Sequence, residues 1–101
     1  MRIVHDKIEG DTLLTLDTKL HGMIVGNVTV GANVTLELHG MIVGTLTLEA
    51  RSRVFLHGMV TSSVANRGGQ LEVWGMVHGH IARDGGVTIV HPHAAVLELP
   101  L

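Results

Sequence analysis

Eight histidines stand among 101 residues, beside five methionines and one tryptophan, with no cysteine. Imidazole is the side chain best suited to proton transfer near neutral pH and to metal ligation. His21, His39 and His57 recur in one frame, as His21-Gly22-Met23, His39-Gly40-Met41 and His57-Gly58-Met59, and Trp74-Gly75-Met76 takes the same frame next. A later group, His78, His80, His91 and His93, includes His-x-His spacing that could converge with a neighbouring molecule. The carboxylates Asp6, Glu9, Asp11, Asp17, Glu37, Glu49, Glu72, Asp84 and Glu98 are scattered without the paired arrangement that acid–base catalysis needs. Ser52, Ser62 and Ser63 lack the context of a nucleophile elbow, and no helical pattern follows the glycines to form a phosphate cradle. The expectation is a non-enzyme with no catalytic residue and no cofactor.

What positions these residues is a repeat. Leu20-His21-Gly22-Met23-Ile24-Val25-Gly26 returns as Leu38-His39-Gly40-Met41-Ile42-Val43-Gly44 and as Leu56-His57-Gly58-Met59-Val60, each 18 residues on. Val73-Trp74-Gly75-Met76-Val77-His78-Gly79 follows after 17, and a degraded Val90-His91-Pro92-His93-Ala94-Ala95 after another 17. Upstream, the segment from His5 to Gly10 aligns at a step of 16. A unit this short cannot hold two helices, and Val34-Thr35-Leu36-Glu37-Leu38-His39 alternates apolar with polar, so the unit consists of short strands. The fold expected is all-β, a short single-stranded β-helix or β-solenoid of about five turns of 17–18 residues. It forms one domain over 1–101, with repeats at about 5–20, 21–38, 39–56, 57–73 and 74–90 and a C-terminal cap at 91–101. Each turn must bury its neighbours' apolar rows, because a single unit has too little core to fold alone.

Alternation points Leu36, Leu38, Ile42, Leu46 and Leu48 inward. It predicts apolar columns Ile8, Ile24, Ile42, Val60, Val77, Ala94 and Val28, Leu46, Val64, Ile81, with glycines at the corners for backbone reasons. The outward columns are His21, His39, His57, Trp74, then Met23, Met41, Met59, Met76, then Val25, Val43, Thr61, His78. Together they make an apolar face on the order of several hundred Å², the size that marks an interaction site. His21, Met23, Val25, His39, Met41, Val43, His57, Met59, Trp74 and Met76 are accordingly the candidate protein interface. The alternative is a change of parity at Gly22 and its equivalents that tucks the methionines into the core. Stacked histidines project in parallel, whereas zinc needs ligands converging tetrahedrally at about 2.1 Å, so no metal ligand set is expected within one chain. A column of imidazoles repels itself when protonated, so acidification toward about pH 5 should weaken whatever packs there.

Composition narrows the partners. Apolar residues make up 46% of the chain and aromatics 2%, so the core is expected from Val, Leu, Ile and Met rather than rings. A formal net charge of −2 removes the basic footprint that nucleic acid or an anionic membrane would require. No run reaches the length of a membrane span and the start lacks the apolar stretch of a signal peptide, so a cytoplasmic protein is expected. At the ends, Arg2, Asp6, Lys7, Glu9 and Asp11 supply charges against stacking, while the segment from Ala94 to Leu99 is apolar enough to fold over the last turn or meet another molecule.

The pattern Gly-x-Val/Ile-x-Gly-x-Val/Ile, in Gly22-Met23-Ile24-Val25-Gly26-Asn27-Val28 and Gly40-Met41-Ile42-Val43-Gly44-Thr45-Leu46, resembles the bactofilin family of polymer-forming bacterial cytoskeletal proteins over roughly residues 5 to 90. That resemblance implies a right-handed, triangular β-helix assembling end to end into filaments without nucleotide. Partners are then copies of the chain itself, in a homo-oligomer or polymer, or another protein. The apolar side also looks like that of a small binding module, for instance an immunity protein that neutralises a toxin. A metal-dependent trimeric solenoid enzyme is a further alternative, since Val30-Gly31-Ala32-Asn33-Val34-Thr35 fits a hexapeptide rule, although that rule does not persist. Thr29, Thr35, Thr45 and Thr47 hint at ice-binding threonine arrays, but their columns lapse to Ala65 and Ala82.

Overall fold

Each turn of the chain lays down three short strands separated by corners, and every strand pairs in parallel with its equivalent one turn away. The fold is an all-β solenoid of about six turns without a helix, described here over residues 1–97 as a computed structural model. One face stacks Arg2–Val4, Thr18–Leu20, Thr35–Leu38, Arg53–Leu56 and the later parts of the two long strands Val64–Val73 and Ile81–Val90. A second stacks Lys7–Glu9, Met23–Val25, Met41–Val43, Met59–Val60, Met76–Val77 and Ala95–Val96. The third stacks Thr12–Leu14, Val28–Val30, Leu46–Leu48 and the beginnings of the same two long strands.

The expected alternation places the core. Leu36, Leu38, Ile42, Leu46 and Leu48 are all fully buried, and the buried apolar core as a whole consists of Leu, Ile and Val alone. Methionine was expected among the core residues and is absent from it, because Met23, Met41, Met59 and Met76 each open a strand at an outward position while the next residue, Ile24, Ile42, Val60 or Val77, turns in, and Met1 is exposed. Val28, Leu46, Val64 and Ile81 form one in-register column as expected. The other column needs a correction at its last member: Val77 pairs with Val96, not with Ala94. Trp74 still stacks on His91, but Met76 meets Ala95, so the segment His91-Pro92-His93-Ala94 spends two more residues on its corner than Trp74-Gly75 does. Folding of the tail over the last turn concerns Glu98, Leu99 and Pro100, which lie outside the described residues.

The first corner explains the regular glycines. At four successive turns two adjacent N–H groups donate to one carbonyl of the turn before: His21 and Gly22 to Val4, His39 and Gly40 to Leu20, His57 and Gly58 to Leu38, Trp74 and Gly75 to Leu56; at the last, His91 alone donates to Val73, because Pro92 has no N–H. This folds the chain so tightly that a β-carbon on Gly40 would fall inside the carbonyl oxygen of Gly22, and one on Gly58 inside that of Gly40. The close approach of backbone to backbone, rather than an unusual φ, requires glycine there. The second corner is held differently, by a side-chain ladder. Asp11 Oδ1 accepts from the Asn27 N–H at 2.9 Å, and Asn27 Oδ1 accepts from the Thr45 N–H at 3.0 Å.

The third corner is where the repeat changes character. In the early turns it separates two strands, but at Arg67-Gly68-Gly69 and again at Asp84-Gly85-Gly86 the strand runs round the bend with register shifts. Asn66 occupies a position that Val30 and Leu48 fill in earlier turns, and it is fully buried. Its Nδ2 donates to the Val87 carbonyl and Thr88 Oγ1, at 3.0 and 3.1 Å, and its Oδ1 accepts from the N–H groups of Gly68 and Gly69, at 3.2 and 2.8 Å. A polar group in a hydrocarbon column is tolerable only when its hydrogen bonds are all made, as they are here.

Candidate functional site

The outward residues of the first corner and second face lie side by side on one flank. Strand pairing puts Met23 beside Met41, Met41 beside Met59 and Met59 beside Met76, with Val25 beside Val43. All of these are half-buried at the surface, and the alternative in which the methionines fill the core does not occur.

The histidine column is longer than the repeat's four well-matched copies. Six rings stack from His5 through His21, His39, His57 and Trp74 to His91, with centroid separations of 5.2, 5.1, 5.0, 4.6 and 4.3 Å and interplanar angles of 14° or less. The four central rings were expected; His5 and His91 extend the stack at each end. Their signal was present in the weaker alignments at steps of 16 and 17 residues. Phe55 lies against Trp74 at 6.2 Å, so the column becomes more aromatic toward its later turns. Carboxylates border it: Glu37 approaches His39 Nε2 at 3.8 Å, and Glu72 approaches His91 Nε2 at 3.3 Å.

Between rings and methionines runs a shallow groove. His5, His21 and His39 line one side, Met23 and Met41 the other, and Gly22 and Gly40 form its floor, with Asp6 and Lys7 at its first rung. Lys7 replaces methionine there, pairing in register with Met23, and its ammonium meets Glu9 at 3.2 Å. The His21 imidazole is held below its ordinary pKa of 6.5, first by partial loss of water around the stacked ring, then by the neighbouring charges of His39, His5 and Lys19, with Glu37 opposing them.

The remaining histidines do not join this set. His80 sits at the second corner, with Nδ1 3.4 Å from Ser63 Oγ, whereas His91 belongs to the ring column at the first corner, so His78, His80, His91 and His93 do not converge within one chain. Among the described residues no three His, Asp or Glu side chains gather in a way that could hold a metal ion. A second depression lies at the third corner, lined by Asn33, Arg51, Arg53, Gly68 and Gly69, where Arg51 Nε donates to Asn33 Oδ1 at 3.0 Å. Thr29, Thr47, Ala65 and Ala82 do form one column, and its threonines give way to alanines as the sequence indicates. Among the described residues no helix is long and apolar enough to cross a membrane. Comparison with known proteins finds no family model, no curated protein and no solved structure that matches this chain.

Proposed function

We propose that this chain is a non-enzymatic scaffold of the cytoplasm that works through protein contacts, with further copies of itself as the first partner, in the manner of the bactofilins it resembles. One observation carries the reading: the ladder Met23, Met41, Met59, Met76 stands outside a core that is closed without it. Apolar surface left in water forgoes about 25 cal/mol per Å², which a partner laid on the ladder would recover. The ends support the same reading. Arg2–Val4, Lys7–Glu9 and Thr12–Leu14 are the edge strands of the first turn, and Ala95–Val96 ends the row of the second face among the described residues. Beside them Ile3, Leu13, Leu16, Val87, Ile89 and Val90 are exposed. Edge strands flanked by apolar side chains, as at the first turn, template further pairing, and end-to-end growth would bring His91 of one copy toward His5 of the next.

The test is light scattering after size exclusion across a wide concentration range, with electron microscopy of the same fractions. Filaments or a mass that rises with concentration support the scaffold. A fixed monomer would overturn self-association and turn the ladder toward a different protein, such as the toxin domain of an immunity pair. Met41→Asp combined with Met59→Asp should abolish association through the ladder and leave the circular dichroism unchanged, because both side chains stand outside the core; filaments that persist would grow through the end strands instead.

A further inference from the structure

The triplet His-Gly-Met occurs three times, at His21-Gly22-Met23, His39-Gly40-Met41 and His57-Gly58-Met59, and the fold sets all three in register on one flank. We propose that this groove binds a soft monovalent metal ion, Cu(I) or its redox-inert analogue Ag(I), between the imidazole and thioether of a rung. The proposal shares the methionine ladder with the self-association surface but does not require self-association.

Three features lead to it. Glycine between the two ligands leaves no side chain in the way, and Gly22 and Gly40 are the floor on which an ion would sit. The thioether cannot be protonated and has no other strong partner to satisfy, so it remains a donor at every pH. Soft sulfur ligands select Cu(I) over the harder divalent ions, and imidazole serves alongside them. The parallel projection that disqualifies zinc is no obstacle to such an ion, which is satisfied by as few as about two ligands. Each rung brings its own nitrogen and sulfur, and a neighbouring methionine can supply another sulfur.

The central rung is the best furnished. Glu37 lies 3.8 Å from Nε2 of His39 and places a negative charge beside the rung, with Nδ1 as the nitrogen offered to the metal. The ladder is bounded on both sides. At its foot Lys7 occupies the methionine position and carries a repelling charge. At its head Trp74 replaces histidine and stacks on His57 at 4.6 Å, so an ion at the His57 and Met59 rung would lie close to an indole. Aromatic faces attract cations, and the chain's single tryptophan would report the ion's arrival.

Ag(I) would be titrated into the full chain in chloride-free buffer, following Trp74 fluorescence and the methyl resonances of the five methionines. Saturable quenching is expected, with methyl shifts at Met23, Met41 and Met59 that exceed that of Met1, which lies outside the ladder. Zn(II) at the same concentration should produce neither. Met23→Leu, Met41→Leu and Met59→Leu together conserve volume and apolarity, and should weaken Ag(I) binding at least tenfold with an unchanged circular dichroism spectrum. His39→Gln should weaken it less, since sulfur remains. No saturable binding, or equal shifts at all five methionines of the unmodified chain, would overturn the proposal. So would a folded triple variant that binds Ag(I) as well as the parent.

Discussion

The first three turns and the later ones solve the same problem in different ways. Up to Leu48 the strands are three or four residues long, and each corner is made by local devices: paired N–H donors, glycines without room for a β-carbon, and the Asp11 to Asn27 to Thr45 ladder. From Val64 onward two strands of ten residues run round the third corner, and one buried asparagine replaces a core aliphatic to hold the bend. In the early turns stability is spread over equivalent positions. In the later turns it is concentrated in Asn66, whose four hydrogen bonds tie together two successive bends. A solenoid can therefore keep its pitch while its corners pass from distributed to centralised bonding, and the two should fail differently.

The largest effect should come from Gly40→Val. Its β-carbon has no space beside the Gly22 carbonyl, and backbone on both sides prevents relaxation, so a loss above about 4 kcal/mol is expected. Gly68→Ala in the later turns should cost less, about 1–3 kcal/mol, because a β-carbon there comes no closer than 3.4 Å to Ala50 and the cost is that of the φ of 153°. Urea unfolding ranks the two, and comparable losses would erase the distinction between the packed first corner and the open position at Gly68. Next comes Asn66→Ala, which strands two glycine N–H groups in the interior and should cost about 3 kcal/mol. Hydrogen exchange should show that loss confined to residues beyond the third turn; protection lost evenly along the chain would mean that the later turns are not a separate unit. Asn27→Ala, at an exposed early corner, removes one rung of a distributed ladder and should cost about 0.5–1 kcal/mol.

The smallest effect is that of pH. Because His21 titrates below its ordinary value when folded, the unfolded chain takes up the proton more readily. Stability from this site is complete above the unfolded value of 6.5 and is lost as pH falls through the lowered folded value. The urea midpoint should decline on acidification, and His21→Gln should flatten that decline. A slope unaltered by the substitution would assign the acid sensitivity elsewhere.

The solenoid was legible because its period is written in the residues that cannot vary without a clash. Gly22, Gly40, Gly58 and Gly75 mark the corner, and the aliphatic neighbours of the methionines mark the core. The ring column was legible for the same reason, and only its two ends needed coordinates. What escaped were features that break the period. The two-residue expansion at His91-Pro92-His93-Ala94 moved Val96 into the place expected for Ala94, since sequence alignment cannot tell a degraded copy from a longer corner. Asn66 carried a readable signal, a polar residue in the column of Val30 and Leu48, but its partners Val87 and Thr88 lie a full turn further on.

The corner glycines have a final consequence for how such a protein can change in size. Since Gly40 meets the backbone of His21-Gly22 and Gly58 meets that of His39-Gly40, the fit at each corner is between identical pieces and is indifferent to how many precede it. Inserting or deleting one whole 18-residue unit re-creates the same junction, whereas a shift by a single residue puts a side chain against a carbonyl. Length can thus be gained or lost in whole turns by tandem duplication or deletion of the coding segment, and the rows of rings and thioethers would lengthen or shorten with it.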